Sequence, residues 1–364
     1  MSLVPDYIKN LLPYKAGKPI EEVQRELGIE NVIKLASNEN PLGPSKKAIE
    51  AIRQSLGSIS LYPDSSGFYL RKKLSDIFNL NINNVVLGAG SEGIMATIMR
   101  TFLNEKDRIL ATKNSFIGFR VLANASGKQI DWVSMKDFRY DLDAMAAQIN
   151  INTKIIYLAN PDNPTGSYFS TEEFDGFMDK VPDRALVILD EAYYEYASGI
   201  QDYPDSMNYR YDNVITLRTF SKSYGLAGLR VGYGFAHQDL ISNLMKVKLP
   251  FEPSIPAQIA AIAALDDIEH LEATLNENKR QMLRVEKVFK KLNLPYIPSS
   301  ANFITLILDN ENHAEMFTKE FLKSGIILRH LKAFGLPNCV RVTIGKDSEM
   351  EVFINKLDSI LEYI

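Results

Sequence analysis

The chain of 364 residues has one cysteine, Cys339, and one tryptophan. A single thiol permits neither an internal disulfide nor a cysteine-based metal site. Histidine is scarce too: His237, His270, His313 and His330 lie too far apart in sequence for a local ligand pair, so no metal is expected. No apolar stretch reaches the ~18 residues that cross a bilayer, and the opening "MSLVPDYIKNLLPYKAG" lacks a charged start followed by an apolar run. The expectation is a cytoplasmic protein with no membrane partner. Charge of one sign is not in excess either. With 41 Lys and Arg against 45 Asp and Glu the net charge is −4, and no basic block or arginine stripe suits a nucleic-acid backbone.

What is present is an ordinary globular composition, 46% hydrophobic and 24% charged, without repeats or low-complexity stretches. The length is about twice that of a usual domain, which suggests a large domain and a smaller one. From residue 85 onward, short apolar runs alternate with amphipathic stretches: "NVVLG", "RILAT", "QIDWVSM", "KIIYLA", "ALVILD", "NVITLRTF" and "RVGYGFA". That rhythm predicts an α/β fold, a mostly parallel seven-stranded sheet covered by helices. Upstream, "IKLASNENPLGPS" reads as a strand and Pro-rich loop, and "SKKAIEAIRQSLG" as a helix with a serine start and glycine stop. After Ala236 two helices are predicted, the second long, charged and amphipathic. "NFITLILD", "HAEMFTKEFLKSG", "GIILRH", "CVRVTIG" and a helix from Asp347 then predict a smaller α/β C-terminal domain. The expected division is an arm over 1–30, a large domain over 31–262 and a small domain over 263–364.

In open parallel sheets the ligand crevice lies outside the carboxyl ends of the strands, and the unusual residues of this chain follow strands. "GAGSEG" follows "NVVL", "NPDNPTG" follows "KIIYLA", Asp190 closes "ALVIL", and "SK" follows "NVITLRTF". The glycine-rich turn leads into a predicted helix whose free N–H groups favour an anion such as phosphate. It also matches G-x-G-x-x-G, but a dinucleotide site needs an acidic residue closing the next strand, and that strand ends "ATKN". A tight turn without a ligand stays open as the plain alternative. The paired Asn-Pro turns force an irregular backbone and could offer the Asn163 amide to a ligand oxygen. Asp190, after four apolar residues, is expected to be largely buried and to need a cation, whether in a ligand or in a structural ion pair. Lys222, among Phe220, Tyr224, Gly225 and Leu226, is expected to lose hydration, which lowers its pKa and frees an amine to form Schiff bases. Arg230, Thr219 and Ser221 suit a phosphate. An aldehyde for the lysine, a ring nitrogen for the aspartate and a phosphate for the rest describe pyridoxal 5′-phosphate.

"KLASNENPLGPS", "LYPD", "GAGSEGI", "NPDNPTG", "LDEAYYEY", "TFSKSYGLAGLRVGY", "ILRH" and "VRVTIG" occur in order over nearly the whole chain. On these motifs the sequence resembles the fold-type I, aspartate-aminotransferase-like family. The resemblance implies that Lys222 carries the cofactor and moves the proton at Cα, that Asp190 pairs with the pyridinium nitrogen, and that Asn163 and Tyr193 hold the 3′-oxygen. It implies a phosphate cup of Gly90, Ser91, Thr219, Ser221 and Arg230, with Glu92 a further cofactor-binding candidate. Phe116 would stack on the ring, where the family often has the tyrosine of P-T-Y and this chain has "KNSFIGF". Tyr62 would reach the cofactor of a second subunit, implying a homodimer with shared sites. Tyr14, Arg329 and Arg341 match residues that bind a substrate phosphate, and Asn38 is a further substrate candidate. The implied partners are a phosphorylated amine, histidinol phosphate, and 2-oxoglutarate. An aromatic-amino-acid aminotransferase or a threonine-phosphate decarboxylase shares the fold and Lys222. A cofactor-binding regulator would need a fused DNA-reading segment, and a dehydrogenase would have no use for Lys222.

Overall fold

A computed structural model describes residues 3–11, 13, 17–207 and 211–363; Tyr14 lies outside the described residues. Thirteen strands occur among them. They are β1 (Ile33–Lys34), β2 (Val85–Gly88), β3 (Arg108–Thr112), β4 (Gln129–Val133), β5 (Thr153–Ala159), β6 (Leu186–Asp190), β7 (Val214–Thr219), β8 (Gly232–Phe235), β9 (Tyr296–Ile297), β10 (Phe303–Ile307), β11 (Ile326–Ile327), β12 (Arg329–His330) and β13 (Cys339–Thr343). The aliphatic runs of β5, β6 and β7 are buried almost throughout, as strands covered on both faces must be.

The seven predicted runs form one sheet in the order β2-β8-β7-β6-β5-β3-β4. All pairs in it are parallel except those of β8, which runs antiparallel to both β2 and β7. Gly232 of β8 therefore sits in register between Gly88 and Thr219, the carboxyl ends of its two neighbours. A Cβ at Gly232 would lie 2.5 Å from the Ser91 nitrogen, so glycine here lets the helix Gly90–Phe102 begin directly on the sheet. Apolar side chains cover one sheet face around Ile94, Ile98, Phe119 and Ile188, and the other around Phe174, Phe177, Val187 and Leu189.

A four-stranded antiparallel sheet, β12-β13-β10-β9, forms the C-terminal unit. Its core packs Phe317 and Phe321 from the helix Glu311–Lys323, Phe353 from the helix Asp347–Leu361 and Phe289 from the long helix Ile268–Lys291. The run "GIILRH" divides between two sheets: β12 joins β13, whereas β11 pairs in parallel with β1, far upstream. The early strand is thus bonded to a late one.

The serine start is borne out, whereas Gly57 does not stop the helix in a left-handed turn: the C-cap is Leu56, in right-handed conformation. Ser45 accepts a hydrogen bond from the Ala48 nitrogen and starts the helix Lys46–Ser55, which closes through a 3₁₀ turn, Leu56–Ser58.

Candidate active site

The carboxyl ends of β2, β5, β6 and β7 open on one cavity, which encloses about 660 Å³ counting its mouth. Ser91, Glu92, Phe116, Asn163, Asp190, Tyr193, Thr219, Ser221, Lys222 and Arg230 line it, together with Ala159, Pro161, Ala192 and Ala227. Ten candidate residues from five separate stretches of the sequence thus meet in one place.

At one end is an anion cradle. The helix Gly90–Phe102 presents its free N–H end there, and Gly90 adopts φ +73. A Cβ on Gly90 would stand 2.8 Å from Arg230 Nη2, so this glycine leaves space for the guanidinium. Arg230 is itself left-handed (φ 53), a conformation that costs a side-chain-bearing residue energy and turns its fork toward the cradle. Its Nη1 lies 3.5 Å from Ser221 Oγ and its Nη2 lies 3.2 Å from a Glu92 carboxylate oxygen. Thr219 Oγ1 donates to Ser221 Oγ at 3.0 Å, so the two hydroxyls share one rim.

Asp190 marks the other end. It is 4% exposed, accepts from the Tyr157 hydroxyl at 2.8 Å and from the Ala192 N–H at 3.2 Å, and has no cationic partner among the described residues. Burial pushes its carboxyl up to about 7. Tyr157 is fixed in turn by a stacked contact with Phe119, ring centroids 3.9 Å apart.

Lys222 stands between these ends. Among the described residues its amine makes one hydrogen bond, to the Ser37 carbonyl at 3.3 Å, and it lies 5.8 Å from the Tyr193 ring centroid. Burial, reinforced by the charge of Arg341, lowers it from 10.5 to about 8. Burial moves the Tyr193 hydroxyl the opposite way, up to about 12.

Beyond the cavity, β12 and β13 place Arg329 and Arg341 directly opposite one another. Each guanidinium carbon lies 5.8 Å from the Phe334 ring centroid, so the two share one aromatic floor. Arg341 is 5% exposed, donates to the Ala36 carbonyl at 2.8 Å and also to Asn163 Oδ1. That contact joins the arginine pair to the cavity. Asn38 does not line the cavity: it is 1% exposed and donates to the Tyr193 hydroxyl at 2.8 Å. Tyr62 is 78% exposed and stacks on Phe251, centroids 4.3 Å apart, outside the cavity of its own chain.

Sequence reasoning missed Tyr157, Thr343 and Asn302. Tyr157 left a trace, a lone hydroxyl in "KIIYLA"; the other two touch the site only through the packing of the C-terminal unit.

A parallel sheet whose strand ends gather a desolvated lysine, a buried unpaired carboxylate and an anion cradle defines a fold-type I transferase. Residues 30–357 match the model of the family described as aminotransferase class I and II, and the chain belongs to that family. Its relatives narrow the class. It is 41% identical over 357 residues to histidinol-phosphate aminotransferase 1 of Nitrosococcus oceani, covering 98% of this chain and 96% of that one. It is 42% identical to the histidinol-phosphate aminotransferase of Moorella thermoacetica, covering 97% and 92% respectively. The solved histidinol-phosphate aminotransferase of Sinorhizobium meliloti, in complex with pyridoxal-5′-phosphate, superimposes with a TM-score of 0.92 at 27% identity, covering 100% and 98%.

The residues present fit that cofactor. A carboxylate buried without a cation suits a protonated ring nitrogen, and glycines at Gly90 and Gly232 keep open a cradle that side chains would fill. No group of three or more potential metal ligands occurs among the described residues, and no helix there is long and apolar enough to cross a membrane.

Proposed function

We propose that the protein transfers an amino group reversibly from L-histidinol phosphate to 2-oxoglutarate, giving imidazole-acetol phosphate and L-glutamate in histidine biosynthesis, with pyridoxal 5′-phosphate as cofactor. The observation that carries the substrate assignment is the opposition of Arg329 and Arg341 across β12 and β13. Like charges directly opposite one another in a sheet destabilise it; a phosphate dianion between them offsets both. The same pair serves the second half-reaction, where Arg341 takes a carboxylate of the dicarboxylic acceptor.

When bound, pyridoxal 5′-phosphate supplies a carbonyl for an attacking amine and a ring that draws off the electron pair left at the substrate Cα. Lys222 Nζ, partly neutral near neutral pH, is the nucleophile and the base that takes and returns the Cα proton. Asp190 would pair with the ring nitrogen, whose charge would restore the carboxylate to its ionised form. Arg230, Ser221, Thr219 and the N–H groups of Gly90 and Ser91 bind the phosphate, with Glu92 holding the Arg230 fork. Asn163 and Tyr193 hold the ring oxygen. Phe116 covers a ring face, keeping the π-contact of a tyrosine without its hydroxyl.

We also read the exposed apolar strip Leu56, Ile59, Leu61, Tyr62, Phe68 and Tyr69 as the face of a twofold homodimer. Tyr62 would there reach the second copy's cofactor.

Borohydride reduction followed by peptide mass analysis tests the core of this reading, with the phosphopyridoxyl label expected on Lys222. Label elsewhere, or none, would end it. An amino-donor panel read by cofactor absorbance tests the substrate: histidinol phosphate should outrun phenylalanine and threonine phosphate.

A further inference from the structure

The segment 35–38 lies between the C-terminal unit and the cavity and is bonded to both. The Thr343 N–H donates to the Leu35 carbonyl at 2.9 Å, Arg341 donates to Ala36, and Lys222 donates to Ser37. At Asn38 the bonds run in one direction. Its backbone N–H, which can only donate, gives its proton to Thr343 Oγ1 at 3.0 Å. The threonine hydroxyl gives its own proton to Asn38 Oδ1, also at 3.0 Å. The other amide atom, Nδ2, donates to Tyr193 Oη at 2.8 Å. The tyrosine oxygen thus accepts on its Asn38 side, and its one proton is left for an acceptor in the cavity that Tyr193 lines.

Asn38 is suited to this place. Its φ of 58 is a conformation that asparagine tolerates better than most residues, and Asn302 Nδ2 clamps its carbonyl at 3.1 Å. Asn302 is held by the Ile344 N–H at 2.9 Å, next to Thr343. The charged and titratable groups around Tyr193 are Arg341, Asp190, Asp162 and Lys222, none of which hydrogen-bonds to its hydroxyl.

We propose that Thr343 and Asn38 are positioning residues: they form a directional hydrogen-bond relay that fixes Tyr193 as a hydrogen-bond donor into the cavity. Docking of the C-terminal strand β13 against the segment 35–38 and orientation of this donor are then one event. The relay acts on the oxygen of the cofactor ring and in that respect rests on the function proposed above.

A hydrogen bond donated to an acceptor oxygen lowers its proton affinity. The test is a pH titration of the cofactor absorbance in the holoenzyme. Asn38→Asp replaces the donating Nδ2 by an acceptor of the same shape, so Tyr193 should turn its proton toward the new carboxylate. The absorbance midpoint is expected to rise by roughly half a pH unit or more. Thr343→Val should give a smaller rise, Thr343→Ser should restore the wild-type value, and in a Tyr193→Phe background Thr343→Val should add no shift. Wild-type midpoints in both Asn38→Asp and Thr343→Val, or an equal Thr343→Val shift with and without the tyrosine hydroxyl, overturn the relay. A wild-type chain that takes up no cofactor fails the functional reading alone. The relay is then read in the cofactor-free protein by protection of the Asn38 side-chain amide against hydrogen exchange. Protection should fall in Tyr193→Phe and in Thr343→Val, and unchanged protection in both refutes it.

Discussion

At the scale of single residues, the cavity holds two groups that burial drives toward neutrality, Lys222 and Asp190, and each has a pH signature. The Lys222 amine, brought down to about 8, gains its nucleophilic form as pH rises through that value. Cofactor uptake by the cofactor-free protein, followed by stopped-flow absorbance, should accelerate from pH 6.5 to 9, and a flat profile would contradict a desolvated amine. Lys222→Arg keeps the charge but not the nucleophile and should lower transamination by at least ~10³-fold. Asp190 runs the other way. Its folded value of about 7 exceeds the unfolded 3.8, so its contribution to stability is complete below pH 3.8 and is lost as pH rises through 7. Cofactor-free Asp190→Asn should therefore resist urea better than wild type at pH 8, by on the order of 2 kcal/mol, with the difference shrinking toward pH 5. Both residues stood out in the sequence because a charge in an apolar run is conspicuous. Tyr157 and Thr343 did not, since a hydroxyl in a strand carries no mark of the distant group it meets.

Among the elements, the short strands β12 and β13 do the most for their length, setting Arg329 against Arg341. If their shared role is to hold a phosphate, Arg329→Ala should raise KM for histidinol phosphate ~10–100-fold, about the value of one charge-assisted contact. KM for an unphosphorylated donor should stay nearly constant, and steady-state kinetics on both substrates distinguishes this from a general loss of packing. The helix Ile255–Leu265 shows the limit of pattern reading. Its sequence "IPAQIAAIAAL" is apolar on every side and gives no amphipathic period, yet it packs closely on the helix Lys46–Ser55. Ala257, Ala260 and Ala261 are fully buried there near Ala48, so small side chains set the helix spacing. Ala261→Leu should cost ~1–3 kcal/mol by overpacking, visible as a lower Tm. The seven runs of the main sheet were legible because strands buried on both faces are continuous aliphatic segments. The two-residue pairing of β1 with β11 was not, because nothing local announces a partner so far along the chain.

For the whole molecule, the segment around Tyr62 sets large apolar side chains in solvent: Leu61 is 68% exposed, Tyr62 78% and Tyr69 76%. Analytical ultracentrifugation should give about twice the chain mass of 41.0 kDa. Leu61→Arg should shift the protein toward the monomer and reduce activity together with it, since Tyr62 would no longer reach a neighbouring site. The bonding of β1 to β11 bears on synthesis as well as on shape. While the polypeptide leaves the ribosome, Ile33 and Lys34 must wait without a mate until Ile326 emerges, and by then Lys222 has long been made. A message cut short before that point yields a product that lacks Arg329, Arg341 and Thr343 and leaves the β1 edge unpaired.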